Sequence, residues 1–304
     1  MDKSSSRLIA PLAVSHLTKR YGSSRGIEDV SFDVKAGEVF GFLGPNGAGK
    51  STTIRTILGF LAPSEGSVSL FGKSVSPTAL RQVGYLSGDF AAYEHLSGKA
   101  FLDYLASLNG SVDQSYVNHL VNRLGASVKR PIHTLSKGNK QKLGIIQAMM
   151  HRPKLLMFDE PTSGLDPLIK QIFYELLDQT CNENDTTVFF SSHDLSEVQK
   201  ICDRAGFIRD GRVIGMENIA EMTKLQARRF VVNVASKPGN TLLAKLSSLA
   251  DVELSDHTIT CTVTGNMREF LSAVSLVEVV DLHEQTLSLE ELFIHYYKNQ
   301  EENS

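Results

Sequence analysis

The chain has 304 residues, of which 41% are hydrophobic and 21% are charged, and its formal net charge is −3. No apolar stretch reaches the roughly 20 residues that a membrane-spanning helix needs, and the slightly acidic balance disfavours a nucleic-acid partner. The first residues lack the apolar segment of a secretory signal, so we expect a cytoplasmic globular protein with a short tail at residues 1–11.

The first predicted elements are a buried strand and a helix that flank a glycine-rich loop. Residues 39–43 form an apolar run typical of a buried strand, and Ile54, Ile57 and Leu58 recur at helical spacing beyond the loop. The loop has the pattern G-x-x-x-x-G-K-S and consists of Gly44, Pro45, Asn46, Gly47, Ala48, Gly49, Lys50 and Ser51, followed by Thr52. Such a loop surrounds phosphates with backbone N–H groups, while its lysine and serine suit the β/γ-phosphates and Mg²⁺. We therefore predict a nucleotide site.

The next part of the chain, residues 90–150 approximately, is predicted to be a helical insertion in an α/β core. Phe101, Leu102 and Leu105 form one helical stripe, and Val117 and Leu120 belong to another. Strands then alternate with helices on either side of this insertion. This alternation predicts a mostly parallel sheet that is covered on both faces.

Two acidic residues follow a second buried strand. The apolar residues 155–158 predict the strand, which ends at Asp159 and Glu160. Asp159 suits a Mg²⁺ ligand, and Glu160 suits a general base that positions an attacking water molecule. On their own, the two residues are equally compatible with a surface pair of acids, but the phosphate loop upstream favours the catalytic interpretation. A third buried strand, at residues 187–191, precedes His193.

Beyond about residue 216 the pattern changes, and residues 216–304 are predicted to form a separate small α+β domain. Strands are predicted at residues 230–234, 258–263 and 277–280. Residues 288–291 have the pattern of a capping box, and an apolar helical stripe follows. We find no catalytic constellation in this part.

Six segments in this order resemble the ATP-binding subunit of an ABC transporter, and the resemblance covers residues 12–215. They are the phosphate loop, residues 84–89, residues 135–139, residues 155–160, residues 163–166 and His193. The resemblance implies a P-loop NTPase fold with a mostly parallel sheet and a helical subdomain, with ATP and Mg²⁺ as cofactors. It also implies ATP hydrolysis coupled to transport. The C-terminal domain is similar to the accessory domain of the drug- and antibiotic-exporting branch, which implies a small, drug-like cargo.

The segment at residues 135–139 resembles the family signature, which is usually Leu-Ser-Gly-Gly-Gln. In the family this segment contacts the ATP held by the opposite subunit, which implies that role for Ser136, Lys137, Gly138 and Asn139. Lys137 and Asn139 differ from the usual residues. Both side chains can still donate hydrogen bonds, so we expect the segment to function.

The resemblance also assigns roles to single residues. Asp166 corresponds to the D-loop at the dimer interface, and His193 corresponds to the switch histidine that contacts the γ-phosphate. Tyr21 corresponds to the aromatic residue that stacks on adenine. The alternative for His193 is a polar surface histidine, and the alternative for Tyr21 is a tyrosine at the end of a strand.

One family motif departs from its usual pattern. The family has a glutamine that contacts Mg²⁺ and senses the membrane subunit, and Gly88 stands at its position here. Asp89 could replace the glutamine as a metal ligand through a shift of one residue. A second carboxylate near the phosphates would add repulsion, so the coupling role of this loop is left open.

The chain carries one phosphate loop and one signature, whereas each ATP site of the family needs both. The resemblance therefore implies a head-to-tail dimer of two copies around two ATP molecules, bound to a separate integral membrane permease at the cytoplasmic face of the cell membrane. One alternative is a soluble ABC-type ATPase that acts on nucleic acid or the ribosome, which the absence of a long coiled coil and of a second cassette disfavours. The other is a nucleotide-binding regulator with negligible turnover, which Gly88 leaves open although Glu160 and His193 argue against it.

Overall fold

The computed structural model describes residues 9–22, 24–108, 110, 112–224, 228–239, 243, 246–247, 250–263 and 267–285. The chain divides into two compact units, Met1–Glu217 and Asn218–Ser304. Among the helices in these ranges, none combines the length and the apolar character needed to cross a membrane.

The described elements up to residue 218 are, in chain order, β1 (Leu12–Tyr21), β2 (Ser24–Val34), β3 (Val39–Leu43), α1 (Lys50–Ile57), β4 (Glu65–Leu70), β5 (Lys73–Ser74), α2 (Pro77–Leu80), β6 (Val83–Leu86), α3 (Gly98–Leu108), α4 (Gln114–Leu124), a 3₁₀ turn (Ile132–Thr134), α5 (Lys137–Met149), β7 (Leu155–Asp159), α6 (Pro167–Asn184), β8 (Thr187–Ser192), α7 (Leu195–Ile201), β9 (Arg204–Arg209) and β10 (Arg212–Asn218).

The centre of the first unit is a six-stranded sheet in the order β10-β9-β3-β8-β7-β6. The five strands from β9 to β6 run parallel to one another. Every residue of β3, β7 and β8 is buried, which explains why the sequences of these strands are mainly apolar. The predicted α/β fold with a mostly parallel sheet is confirmed. The phosphate loop follows β3, Asp159 ends β7 and His193 follows β8. Because these strands are parallel, their carboxyl ends bring the three features to the same end of the sheet.

A second, antiparallel sheet in the order β2-β1-β4-β5 was not predicted. It packs on the parallel sheet through Phe32 of β2, whose ring lies 5.4 Å from that of Phe40 and 5.7 Å from that of Phe189. Phe42 completes this aromatic group, and all four rings are buried. Burial of each such side chain stabilises the fold by about 1.5–3 kcal/mol, so the two sheets share one core.

The helical insertion consists of α3, α4 and α5. Asp113 caps α4 by accepting a hydrogen bond from the Ser115 N–H at 2.9 Å, and α4 ends at Gly125 in the left-handed conformation. Helix α5 packs against α3 and α4 and also against β6. It therefore connects the insertion to the parallel sheet.

The second unit contains, in its described part, α8 (Ile219–Lys224), β11 (Arg228–Val234), β12 (Ala250–Ser255), β13 (Thr258–Val263), α9 (Met267–Val274) and β14 (Val279–Gln285). Residues 243, 246 and 247, between β11 and β12, are helical. The antiparallel sheet has the order β12-β13-β11-β14. Its topology is the β-α-β-β-α-β arrangement of ferredoxin-like folds.

The strands of this unit agree in part with the sequence predictions. The strands predicted at residues 230–234 and 258–263 are confirmed. The strand predicted at residues 277–280 begins at Val279 and continues to Gln285, at one edge of the sheet, and every residue of it is exposed. The predicted capping box at residues 288–291 and its helical stripe lie outside the described residues.

Candidate active site

A cleft of about 280 Å³ opens beside the phosphate loop. Its lining residues come from β1, β2, the loop, α1 and the end of β7, and they are Tyr21, Gly26, Asn46, Gly47, Gly49, Lys50, Ser51, Thr52 and Glu160. The structure thus brings Tyr21 and most of the predicted phosphate-loop residues together with Glu160. Gly26 was not predicted, and its missing side chain leaves room for the Tyr21 ring, which would lie 2.8 Å from an added Cβ.

The phosphate loop has a backbone that only glycine adopts easily at two points. Gly47 has a φ of +82° and Gly49 a φ of +110°. At the start of the loop, a Cβ added to Gly44 would overlap the carbonyl oxygen of Ile208. These positions turn the chain sharply into α1, which begins at Lys50. The free N–H groups at the start of α1 then make the cleft suitable for a phosphate.

Lys50 is the most buried cation of the cleft, with 5% of its side chain exposed. Its ammonium group donates hydrogen bonds to the carbonyl oxygens of Gly44 at 2.7 Å and Pro45 at 3.1 Å. It also lies 3.2 Å from Oε1 of Glu160. Three oxygen atoms therefore hold the ammonium group beside the cleft, where it can meet a phosphate oxygen.

Glu160 links this cation to the histidine predicted as the switch residue. Its second carboxylate oxygen, Oε2, lies 3.3 Å from Nδ1 of His193, whose side chain is 54% exposed. The backbone of Glu160 is left-handed, with a φ of +50°. Its N–H donates to the carbonyl oxygen of Ser191 at 3.2 Å and to the hydroxyl of Ser191 at 3.1 Å, and these bonds hold the unfavourable conformation.

Asp159 is 1% exposed, and its Oδ1 accepts a hydrogen bond from the Ser191 hydroxyl at 2.8 Å. Mg²⁺ is commonly held by one or two carboxylates together with substrate phosphates and water. Among the described residues there is no group of three or more His, Cys, Asp or Glu side chains that could hold a metal ion by themselves. Asp159 and the hydroxyl of Ser51 are both hard oxygen donors, and their role as Mg²⁺ ligands stays a prediction.

Gly88 and Asp89 differ in their position relative to the Asp159 carboxylate. A Cβ added to Gly88 would lie 3.5 Å from Oδ2 of Asp159, so the position of the absent glutamine side chain faces the proposed metal ligand. Asp89, by contrast, has a 99% exposed side chain that lies 4.0 Å from Arg55, and it is not among the residues that line the cleft. The role of Asp89 as a metal ligand stays a prediction.

The signature segment and the D-loop contact each other. The Ser136 hydroxyl caps α5 by accepting a hydrogen bond from the Asn139 N–H at 3.3 Å. Lys137 donates to the hydroxyl of Ser163 at 3.2 Å, and a Cβ added to Gly138 would lie only 2.7 Å from the carbonyl oxygen of Gly164.

Asp166 ends the D-loop by capping α6, since its Oδ1 accepts from the Ile169 N–H at 3.1 Å. In the part of the chain that the structure describes, neither Asp166 nor the signature residues line the cleft of their own chain. They form a second group, separate from the phosphate loop.

Besides Gly26, two buried polar residues around the site were not predicted. Gln141 on α5 is 4% exposed and donates to the carbonyl oxygen of Pro161 at 2.8 Å. Glu197 on α7 is also 4% exposed and accepts hydrogen bonds from the segment after Glu160 and from the end of β8. A single Gln or Glu on a helix has no pattern that distinguishes it from a surface residue, because its partners are distant in sequence.

Comparison with known proteins agrees with this geometry. The family model described as "ABC transporter" matches residues 27–163. The bacitracin transport ATP-binding protein BcrA of Bacillus licheniformis is 35% identical over 208 residues, which are 67% of this chain and 68% of BcrA. The lantibiotic transport ATP-binding protein SrtF of Streptococcus pyogenes is 35% identical over 219 residues, which are 69% of this chain and 95% of SrtF. A solved ATP-binding subunit of an ABC transporter superposes with a TM-score of 0.64 at 31% identity, over 70% of this chain and 92% of that one.

Proposed function

Because the chain belongs to the ABC transporter family, as a subunit that hydrolyses ATP to power transport, we propose that it drives the export of an antibiotic-like small molecule through a separate membrane permease. The names of the bacitracin and lantibiotic relatives support this class of cargo. In this proposal the chain lies at the cytoplasmic face of the cell membrane, bound to the permease. It takes no nucleic-acid partner.

The observation that carries the proposal is the placement of Lys50 between the phosphate loop and Glu160. The ammonium group and the N-terminus of α1 offer positive charge to the β- and γ-phosphates, while Ser51 and Thr52 lie in the first turn of the helix. Tyr21, which also lines the cleft and is 45% exposed, supplies a face for the adenine ring. The cleft therefore suits ATP from base to phosphate.

Hydrolysis in this proposal depends on Glu160 and His193. The Glu160 carboxylate, with 26% of its side chain exposed, orients a water molecule toward the γ-phosphate and accepts its proton. His193 contacts the same carboxylate from the other side and can donate a hydrogen bond to a γ-phosphate oxygen. When Mg²⁺ is bound through Asp159 and Ser51, it neutralises charge on the phosphate oxygens. Lys50 compensates the charge that develops during phosphoryl transfer.

The separation of the signature segment from the cleft supports a head-to-tail dimer. Ser136, Lys137, Gly138 and Asn139 would contact the ATP of the partner copy, and Asp166 would lie at the interface between the copies. Two identical sites would then form together, and ATP would stabilise the closed dimer until hydrolysis removes the γ-phosphate.

The test compares Glu160→Gln with the unchanged chain and with Glu253→Gln, a matched change of an exposed acid in the second unit. Glu160→Gln is expected to abolish ATP turnover while ATP binding is retained, whereas Glu253→Gln is expected to hydrolyse ATP normally. Equal turnover in Glu160→Gln and the unchanged chain would contradict the assigned role.

The transport part of the proposal needs a second measurement. Tagged Glu160→Gln chain, held with ATP and Mg²⁺, is recovered from solubilised membranes, and the co-purifying proteins are identified. A stoichiometric multi-span membrane protein supports the transporter subunit, and its reconstitution with labelled peptide antibiotics tests the cargo. Ribosomes or exclusively soluble partners would contradict coupling to a permease.

A further inference from the structure

Glu197 on α7 is a buried carboxylate that receives hydrogen bonds from several distant segments. Its Oε2 accepts from the hydroxyl of Thr162 at 2.9 Å and from the hydroxyl of Ser192 at 2.9 Å. Its Oε1 accepts from the ammonium group of Lys170 at 2.7 Å. Tyr174 lies near the same carboxylate, and burial together with the charge of Glu197 raises the pKa of Tyr174, so its hydroxyl keeps its proton.

The two hydroxyl groups on Oε2 come from the segments that carry the proposed catalytic residues. Thr162 is two residues beyond Glu160, and Ser192 immediately precedes His193. The Ser192 hydroxyl also accepts a hydrogen bond from the Asp194 N–H at 2.9 Å, so the backbone is held on both sides of His193. Oε2 of Glu197 is therefore hydrogen-bonded to both segments. These are the segments whose Glu160 and His193 side chains lie 3.3 Å apart.

We propose that Glu197 is a positioning residue for ATP hydrolysis, whose carboxylate fixes the segment of residues 160–162 against the segment of residues 192–194 and so sets the placement of Glu160 relative to His193. This inference rests on the roles proposed above for those two residues. Thr162 also begins the segment that leads to Asp166, so the same carboxylate would connect the proposed dimer interface to the switch histidine.

A carboxylate is required here because of the number of donors. An ionised Glu accepts at both oxygens, whereas Gln offers one acceptor oxygen, so its NH₂ group would face either the Lys170 ammonium group or the two hydroxyls. In either orientation at least one of the donors Lys170, Thr162 and Ser192 would lose its acceptor. In a buried site such a loss shifts the attached backbone, and a displacement of about 1 Å at a reacting group can reduce turnover by about 100-fold.

The experiment measures kcat, KM, ATP affinity and thermal unfolding of the full chain with Glu197→Gln. We expect kcat to fall by about 10- to 100-fold while KM and ATP affinity change by no more than about twofold. Thr162→Val is also expected to lower kcat, whereas Thr162→Ser, which keeps a hydroxyl at this position, is expected to have nearly the kcat of the unchanged chain. Thr180→Val serves as the matched control, since the buried Thr180 hydroxyl donates to the Leu176 carbonyl oxygen and is not bonded to Glu197.

A double-variant cycle separates positioning from mere stability. If Glu197 joins the two segments, Thr162→Val combined with Ser192→Ala should lower kcat no further than the stronger single change, because either one breaks the connection. Multiplicative losses in kcat, or losses confined to the unfolding temperature, would overturn the inference. This cycle also decides the question if Glu197→Gln does not fold.

The outcome distinguishes this inference from the proposed function. Normal kcat in Glu197→Gln, together with lost turnover in Glu160→Gln, would overturn the positioning role and leave the assigned chemistry intact. Unchanged turnover in Glu160→Gln would remove the assigned chemistry, and the positioning role would fall with it.

Discussion

The ammonium group of Lys50 lies 3.2 Å from the Glu160 carboxylate, so the phosphate loop and the end of β7 meet through opposite charges. Lys50 is almost fully buried, and a buried ion pair is strongly affected by removal of either partner. In the proposed function, an incoming phosphate would compete with Glu160 for the same ammonium group. Occupation of the cleft and release of the Glu160 carboxylate toward water would therefore be one event.

Lys50→Met tests whether this ammonium group binds phosphate. The change removes at least one charged hydrogen bond to phosphate, which is worth about 1.5–3 kcal/mol, so ATP affinity is expected to fall by about 10- to 100-fold. The measurement is equilibrium titration with a fluorescent ATP analogue, and Lys73→Met, at an exposed lysine of β5, is the control. Affinity equal to that of the unchanged chain would exclude Lys50 from phosphate binding.

Gly88→Gln introduces the side chain that the family places beside the metal ligand. An added Cβ at Gly88 would make ordinary contacts of 3.4–3.6 Å with Asp159, so the larger residue is expected to fit. An amide oxygen there gives the ion a further ligand or orients its water, and half-maximal ATPase activity is expected at an up to about tenfold lower Mg²⁺ concentration. Gly88→Ala, which adds the contact without the amide, is the control, and identical Mg²⁺ titrations would contradict this role for position 88.

Gly138→Ala is expected to separate the signature segment from the D-loop. The added carbon would lie 2.7 Å from the Gly164 carbonyl oxygen, so α5 or the D-loop must move. We expect a loss of about 1–3 kcal/mol in the free energy of unfolding and a reduced kcat, with ATP binding to the isolated chain retained. Gly239→Ala, where an added Cβ meets nothing within 4 Å, is the matched control. Unaltered unfolding and turnover would show that the two segments are less tightly packed than the structure has them.

His151, just after α5, is expected to make stability depend on pH. Burial lowers the pKa of His151 below 6.5, although a hydrogen bond to the Val83 backbone raises it, and its buried Nδ1 has no hydrogen-bond partner among the described residues. The unfolded chain therefore binds the proton first as the pH falls below 6.5, and the folded state loses stability there. Urea unfolding at pH 7.5 and 5.5 should show a smaller difference in His151→Gln than in the unchanged chain. The exposed His119→Gln provides the control, and an equal pH dependence in all three chains would contradict the assignment.

The parts of the fold that could be predicted are those whose pattern is local. The strands β3, β7 and β8 have mainly apolar sequences because both of their faces are buried. The antiparallel sheet was missed because its long strands β1 and β2 do not alternate regularly. Their pairing is interrupted by register shifts, and His16 and Asp29 have left-handed backbones with φ values of +51° and +53°. Such irregular strands lose the two-residue period on which the prediction relies.

The residues of the candidate site likewise divide into those that a local sequence motif predicts and those that it does not. Lys50, Asp159 and Glu160 stand at fixed positions in short motifs, so their approximate location follows from strand ends and a glycine loop. Gln141 contacts Pro161, 20 residues away, and Glu197 joins Ser192 to Thr162, which is 35 residues away, and no local spacing reveals these long-range contacts. The pairing of the signature segment with the D-loop likewise becomes visible only when Gly138 and Gly164 meet in the fold.

The left-handed backbone at Glu160 lowers folding stability at a position where the proposed chemistry needs a carboxylate. A non-glycine residue in this conformation costs roughly 1 kcal/mol or more, and any side chain at position 160 carries that cost. Glycine would remove the strain and the carboxylate together, so Glu160→Gly should resist unfolding better than Glu160→Ala although both lose the base. The residue that the proposed chemistry requires is thus kept at a cost in backbone conformation.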